Sequence, residues 1–567
     1  MYEQLREVWQ ELTAPGAPFE IRQVVAHGVP VRAYASAPPS LREVWLGSAG
    51  HGAKEHLVYE DERWTFNDAH RDVISIASWL AERGVGPGDR VAIAMRNYPE
   101  WMLAYWATIS IGATCVGMNA WWTGPELAYG LTDADPKVVI CDDERLDRVL
   151  PHGAELGSRE LVAVRTARPL PDRVIAWSEL LGRNASLPDV TIDPDSDACI
   201  FYTSGTTGRP KGAQLTHRGC VNNVYSLMFW NMAAAAANAR ANGPSNDSGE
   251  REPEQMASLV CTPLFHVTAN NCVAHSATLA GGKLVFMYKW NAGHALDLIQ
   301  RERVSHLSGV PTMSRELLAH PDFSKTDTSS LKSLGGGGAQ IQPDLVDKIE
   351  RNVATARPST GYGMTEVCGI ITANSADFFV DKPASAGPAM PVFETKCVDQ
   401  DGKDVEQGEI GELCVRGAQV IRGYLNRPGA TAEAIQDGWL RTGDIARIDE
   451  DGFIFIVDRA KDMVLRGGEN VYCADVEAVI ASHVAVLECA VFGVDDERLG
   501  EEVAAAIHAD PDSGLDAEAL RAFCRDNLAN FKVPRYLWLL DEPLPRNASG
   551  KFLKKQLRAD LDPADAE

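Results

Sequence analysis

Before Ser385, apolar positions along the chain switch repeatedly between a helical and a strand rhythm. Phe66 to Arg83 carries apolar residues at helical spacing, is closed by Gly84 and enters the turn Gly86-Pro87-Gly88-Asp89. Arg90 to Met95 reads as a short apolar strand, Pro99 opens another helix, and Val138-Val139-Ile140-Cys141 is a further buried strand. Such alternation predicts α/β layers with strands covered on both faces. After Ser385 short strands dominate, over 393–398, 411–416 and 453–457, and predict a small β subdomain. From about residue 460 a fresh α/β pattern begins, with a helix over 476–483 and strands over 486–494 and 503–509. The expected fold class is α/β (α+β two-domain). Residues 1–459 form the large domain and 460–567 the small one, with the boundary at 458–461.

Two stretches break the rhythm. Met102 to Ala120 is uncharged and long enough to raise the question of a membrane span. Tyr105, Thr108, Ser110, Gly112, Thr114 and Gly117 interrupt it, so it reads as a buried helix, a glycine stop and a buried strand. Residues 233–254 begin as an alanine run that suits a helix and continue as a polar stretch that reads as a solvated loop. No chemistry is assigned to it.

A chain of 567 residues exceeds the usual limit for one core, so at least two domains are expected. Apolar residues at 45% and charged residues at 23% fit a soluble globular protein. The net charge of −25 argues against nucleic acid or an anionic membrane surface as the main partner. The twelve cysteines show no Cys-x-x-Cys pair and no zinc spacing, which favours reduced thiols and a cytoplasmic location. The first residues lack a basic region followed by an apolar one, so no signal peptide is expected.

The strand-like run 198–202 leads into Thr203-Ser204-Gly205-Thr206-Thr207-Gly208-Arg209-Pro210-Lys211-Gly212. Hydroxyls, backbone amides freed by glycine and one ammonium on a small surface suit a polyphosphate. A Walker A loop needs four residues between its glycines and Lys-Ser/Thr directly after the second. Here two residues separate Gly205 from Gly208, and Gly212 follows Lys211.

Four later motifs occur in order. They are Thr360-Gly361-Tyr362-Gly363-Met364-Thr365-Glu366, Trp439-Leu440-Arg441-Thr442-Gly443-Asp444, Asp458-Arg459-Ala460-Lys461-Asp462 with Gly467-Gly468-Glu469-Asn470, and Leu544-Pro545-Arg546-Asn547-Ala548-Ser549-Gly550-Lys551. With the phosphate loop they resemble the adenylate-forming superfamily of acyl-CoA synthetases, luciferases and peptide-synthetase adenylation domains. The resemblance covers roughly residues 55 to 555 and is most like a fatty-acyl-CoA synthetase. It implies ATP, Mg²⁺ and coenzyme A as cofactors and a mobile small domain that acts as a lid. Residues 203–208 and Lys211 would hold phosphates, and Thr365 and Glu366 would act in catalysis, with Glu366 on the metal. Gly338, Ala339 and Tyr362 would flank the base, Asp444 would accept from the ribose hydroxyls, and Arg459 would reach the nucleotide. Lys461 would be the pivot, Gly468 would line the coenzyme A channel, and Lys551 would be the catalytic lysine. Asp458 stands where the family most usually has glycine.

The acid would bind near His266, Phe229, Gly337 and Gly363. Pro263 to Thr268 resembles the gate at the acyl end, although His266 reads equally as a core histidine. Leu227, Met228, Phe229 and Trp230 offer apolar walls, and the glycine run 335–338 leaves room for a long or bulky tail. A medium or long fatty acid, or a bulky alicyclic acid, follows. A carrier-protein thiol or an amine remains an alternative acceptor, and a nucleotide-binding relative without turnover is the rival outside enzymes. A homodimer is compatible with this reading.

Overall fold

The structure, a computed structural model, describes residues 1–153, 157–203, 209–243, 254–339, 341–459, 462–467, 469–548 and 550–567. Two eight-stranded sheets organise the large part of the chain. The first runs, in spatial order, Gly423–Tyr424, Lys211–Thr216, Asp197–Thr203, Thr114–Gly117, Arg90–Ala94, Val138–Asp142, Glu160–Val164 and Val174–Ala176. Its last six strands are parallel, and Lys211–Thr216 turns back antiparallel on Asp197–Thr203. The second runs Gly369–Ser375, Arg357–Met364, Ser333–Gly337, His306–Gly309, Ala257–Val260, Lys283–Phe286, Glu55–Tyr59 and Glu62–Thr65. It is parallel in its middle and antiparallel at both edges.

Both sheets share one apolar core. Val91, Ile93, Cys115 and Phe201 of the first meet Leu57, Val260, Leu284 and Phe286 of the second in it. The helix Pro99–Ser110 lies in that core, buried at every residue, with Trp101, Tyr105 and Trp106 fully enclosed. Gly112 at φ +74° turns the chain into the strand Thr114–Gly117, as the glycine stop predicts. Among the described residues no helix is long and apolar enough to cross a membrane. The predicted helix over 66–83 is Phe66–Glu82, and its start is fixed by a capping box between Thr65 and Asp68.

The short strands after Ser385 form an antiparallel sheet of Gly387–Pro388, Phe453–Arg459, Trp439–Ile448, Gly411–Gly417 and Phe393–Val398. Beyond it, Gly500–Ala509 pairs with Val486–Asp496 and Tyr536–Leu540 in a separate five-stranded sheet. Helices Cys473–Ala481 and Ala517–Asn527 cover that sheet over a core of their own, built on Val476, Ile480, Val491, Ile507 and Leu520. The mixed α/β architecture with a large and a small part is therefore as the alternation predicts.

Two features are absent from the sequence-based picture. An N-terminal helix, Tyr2–Thr13, and the hairpin Ile21–Ala26/Val29–Tyr34 pack on the helix His217–Asn242. That long helix takes up the whole alanine run, 233–237; residues 244–253 of the polar stretch lie outside the described residues.

Candidate active site

The predicted phosphate loop joins two antiparallel strands. Thr203 ends one, Lys211 begins the other, and the two residues are register partners. Ser204, Gly205, Thr206, Thr207 and Gly208 lie outside the described residues. The Lys211 ammonium stands 4.7 Å from the centre of the Tyr424 ring, a cation–π contact. The Tyr424 hydroxyl donates to Glu366 Oε1 at 2.9 Å, and Ile421 N donates to the Glu366 carbonyl at 3.0 Å. Burial, with the Glu366 carboxylate as the next cause, pushes the Tyr424 phenol well up, so it stays a donor. These contacts fix a buried acid, in the short turn Thr365–Val367, beside the base of the phosphate loop. Tyr424 belongs to none of the sequence motifs, and nothing in its local sequence marks it as a site residue.

A second constellation forms where Arg357–Met364 nears the antiparallel sheet. Tyr362 donates from its hydroxyl to Asp444 Oδ2 at 2.6 Å, and Arg459 Nε lies 3.1 Å from Asp444 Oδ1. Asp444 and Arg459 are register partners on adjacent strands, so backbone pairing brings the two charges together. Asp444 is buried, and neither it nor Tyr362 lines the cleft, although their neighbours Thr442, Gly443, Gly361 and Arg459 do. Burial first, and then the Asp444 charge, hold the Tyr362 phenol far above its ordinary pKa.

The predicted catalytic lysine enters from the small part of the chain. Asn547 Oδ1 accepts from Lys551 N at 3.0 Å, and Asn547 N donates back to the Lys551 carbonyl at 2.9 Å, closing a turn. Gly550 sits there at φ +79°, so tightly that an added Cβ would lie 2.8 Å from Val310 Cγ2. Lys551 Cε is 4.0 Å from where a Cβ on Gly338 would stand. His266 is close enough to feel that ammonium: burial chiefly, and Lys551 second, pull its imidazole down to about 4, so it is neutral at neutral pH.

Thr203, Lys211, Thr365, Glu366, Arg459 and Lys551 all line one cleft of about 990 Å³. His266, Gly337, Gly338 and Gly363 line it too. The glycines are required by close backbone approach: a Cβ at Gly363 would stand 1.9 Å from the Gly369 carbonyl oxygen, and one at Gly337 2.5 Å from that of Gly361. Ala339 is exposed and follows Gly338. Lys461 and Gly468 lie outside the described residues.

Phe229 is a correction. It is fully buried on the opposite side of the helix His217–Asn242, with its ring 4.6 Å from Trp9 and 5.4 Å from Phe19, and it does not line the cleft. The helix is buried on more than one side, so its sequence carries no signal of which side faces the site. The cleft side is the stripe Leu227, Trp230, Asn231, Ala234, Ala235 and Asn238, at i, i+3, i+4 and i+7 spacing. The alanines, which carry no assigned chemistry in the sequence, leave space there. Opposite, a wide π-helical turn, Thr268–Ala274, presents Thr268, Cys272 and Val273.

The donor set fits Mg²⁺ held by one carboxylate together with phosphate oxygens. Glu366 is the acid at the cleft, and only its Oε1 is taken by Tyr424. Among the described residues no group of three or more His, Cys, Asp or Glu could hold a metal by itself.

Comparison with known proteins bears on this geometry. Residues 45–425 match the model of the AMP-binding enzyme family, and residues 475–551 match its C-terminal domain. A feruloyl-CoA synthase from Amycolatopsis sp. is 35% identical over 87% of this chain and 93% of its own. A mitochondrial medium-chain acyl-CoA ligase from Macaca fascicularis is 34% identical over 90% of this chain and 85% of its own. The o-succinylbenzoate CoA synthetase of Bacillus subtilis, solved with its acyl-adenylate intermediate, superposes with a TM-score of 0.73. It is 29% identical and covers 91% of this chain and 97% of its own. The chain belongs to the AMP-binding enzyme family, as an AMP-forming acyl- or aryl-CoA ligase.

Proposed function

We propose that the protein activates a carboxylic acid with a long or bulky body, a medium- or long-chain fatty acid or an alicyclic acid, and passes it to coenzyme A. The observation that carries this reading is the reach of Lys551, from the small domain, into the cleft that also holds Lys211, Glu366 and Arg459. A carboxylate is a poor electrophile because its leaving group would be oxide. Its oxygen attacks the α-phosphorus of ATP, giving a mixed anhydride, acyl-AMP, and expelling pyrophosphate.

Lys551 supplies one positive charge between the acid carboxylate and the α-phosphate, where negative oxygen accumulates in the transition state. Lys211 and residues 203–208 neutralise and orient the phosphates, and Thr365 lies beside them. Bound Mg²⁺, held by Glu366 and phosphate oxygens, would supply further charge neutralisation. Asp444 accepts from the ribose hydroxyls, Arg459 reaches the nucleotide, and Tyr362, Gly338 and Ala339 flank the base. The acid runs past Gly337, Gly363 and neutral His266 into the groove beneath His217–Asn242. The coenzyme A thiolate then displaces AMP, entering past Gly468 after residues 460–567 rotate about Lys461.

At about 990 Å³ the cleft sits at the upper end of ligand pockets, roughly 300–1,000 Å³. The alanine and glycine lining supports a long or bulky acid. The test is AMP release with coenzyme A present, over acids from acetate through long-chain, aromatic and alicyclic. Parallel reactions use a holo-carrier protein or an amine as acceptor. Dependence on a long or alicyclic acid and on coenzyme A supports the reading; release confined to acetate or to an amine acceptor rejects it.

A further inference from the structure

Strand alternation orders the floor of the cleft, because residues two apart share a face. Nearest Lys551 the floor is bare or small: Gly337 and Gly361 are register partners, and Ala373 faces Gly361 on the edge strand. Two residues back along the strands it carries hydroxyls, those of Ser308, Ser359 and Ser375. Trp230 Nε1, from the helix above, donates to Ser375 Oγ at 2.9 Å. Two residues further back, Ser258, His306, Ser333 and Arg357 stand side by side in register on neighbouring strands, and all of them line the cleft. From Gly337 to Ser333 the strand spans about 13 Å at 3.3 Å per residue, the length of an extended dodecanedioate.

The floor thus grows more polar with distance from Lys551, the reverse of what a plain alkyl tail requires. Charge sharpens the contrast. Lys332, next to Ser333, lines the cleft at that end, is exposed, and has no carboxylate within ion-pair distance among the described residues. Arg357 lines it as well. Its partners, Asp377 and, at 3.3 Å, Glu350, do not line the cleft, so a ligand there meets the two cations first. Among the described residues that line the cleft the only acid is Glu366, beside the phosphate loop. Burial first, and the Lys332 charge second, hold the His306 imidazole below its ordinary pKa, so it is neutral at neutral pH. A hydrocarbon end reaching this row would cover cations and hydroxyls with nothing to bond them, whereas a carboxylate gains charge-assisted hydrogen bonds.

Resting on the ligase reading above, we propose that the acid taken by this cleft is a long-chain dicarboxylate. One carboxylate lies at Lys551 and is adenylated. The other takes no part in the chemistry and lies at the far row, where Lys332 is the specificity-determining residue and Ser333 and Arg357 stand beside it.

The test compares kcat/KM for AMP release, with coenzyme A present, between dodecanedioate and its monomethyl ester, which lacks the second charge. Hexanedioate and its monomethyl ester form the control pair: that diacid too can react from either end, but it is too short to reach the far row. The preference for diacid over ester should be roughly threefold to fivefold greater in the long pair, as for a part-exposed ion pair, and the difference should shrink as salt is raised. Lys332→Gln brings the two preferences together, and Lys332→Glu reverses their order, with use of the esters unchanged. Equal preferences in the two pairs, a greater one in the short pair, or a difference unmoved by these variants overturns the proposal. Where Lys332→Glu fails to fold, Lys332→Gln and the salt dependence decide. Failure of every acid, acetate and aromatic acids included, would instead reject the ligase reading. In that event calorimetric titration of the long pair into Lys551→Ala protein with Mg-ATP reads the preference without turnover: tighter binding of dodecanedioate supports it, equal binding refutes it.

Discussion

Tyr362, Asp444 and Arg459, proposed to hold the nucleotide, depend on one another. The Asp444 carboxylate is buried, with the Tyr362 hydroxyl on one oxygen and the Arg459 guanidinium beside the other. Removing the phenolic oxygen in Tyr362→Phe leaves a buried charge short of one donor, worth about 1–3 kcal/mol. The expected outcome is a rise of roughly tenfold in KM for ATP together with a fall of roughly a few degrees in melting temperature, because the folded state bears the under-satisfied charge. An unchanged KM would show that the hydroxyl does not position Asp444 for the nucleotide. These residues are legible in the sequence because each lies in a short contiguous motif. Tyr424 is not, because its part, holding Glu366 and facing Lys211, arises only when its strand lies at the edge of the first sheet.

Among the elements, the helix His217–Asn242 and the glycine- and serine-rich strands line the cleft together. Ala234 is on the stripe that lines the cleft, so Ala234→Phe places a ring in the path of the acid. The ratio of kcat/KM for a long or alicyclic acid to that for acetate should fall by roughly tenfold or more, as filling a groove rejects bulk by about 1–3 kcal/mol. A constant ratio would show that the acid runs elsewhere. The existence of most elements is readable from their rhythm, as with Phe66–Glu82 and Thr114–Gly117. The orientation of the groove helix is not. Phe229 and Trp230 are adjacent and equally apolar, and the N-terminal helix claims the first while the cleft claims the second.

Across the molecule as a whole, the connection between the large and small parts carries a buried acid, Asp458. Its carboxylate accepts from Arg459 N at 2.7 Å and from Cys473 N at the start of the helix Cys473–Ala481. Burial raises its pKa from 3.8 to about 6, against the pull of nearby Lys554. A raised acid pKa means the folded protein binds the proton more tightly than the unfolded chain. Its contribution to stability is present below pH 3.8 and is lost as pH rises through about 6. The unfolding free energy of the wild type relative to Asp458→Asn should therefore fall between pH 4 and pH 7. The fall is about 1.4 kcal/mol for each tenfold by which folding tightens the proton. A pH-independent difference between the two proteins would contradict the raised value. A new α/β rhythm begins beyond Asp458, while Ala460 and Lys461, which the expected boundary includes, lie outside the described residues.

The assignment stands or falls on Lys551 serving the first half-reaction from the position it occupies beside Gly338 and His266. The decisive comparison is between two rates in Lys551→Ala: carboxylate-dependent exchange of pyrophosphate into ATP, and thioester formation from supplied acyl-AMP and coenzyme A. The expected outcome is loss of the first by a hundredfold or more, about 3 kcal/mol of transition-state stabilisation, with the second largely retained. Equal loss of both, or loss of neither, would contradict it.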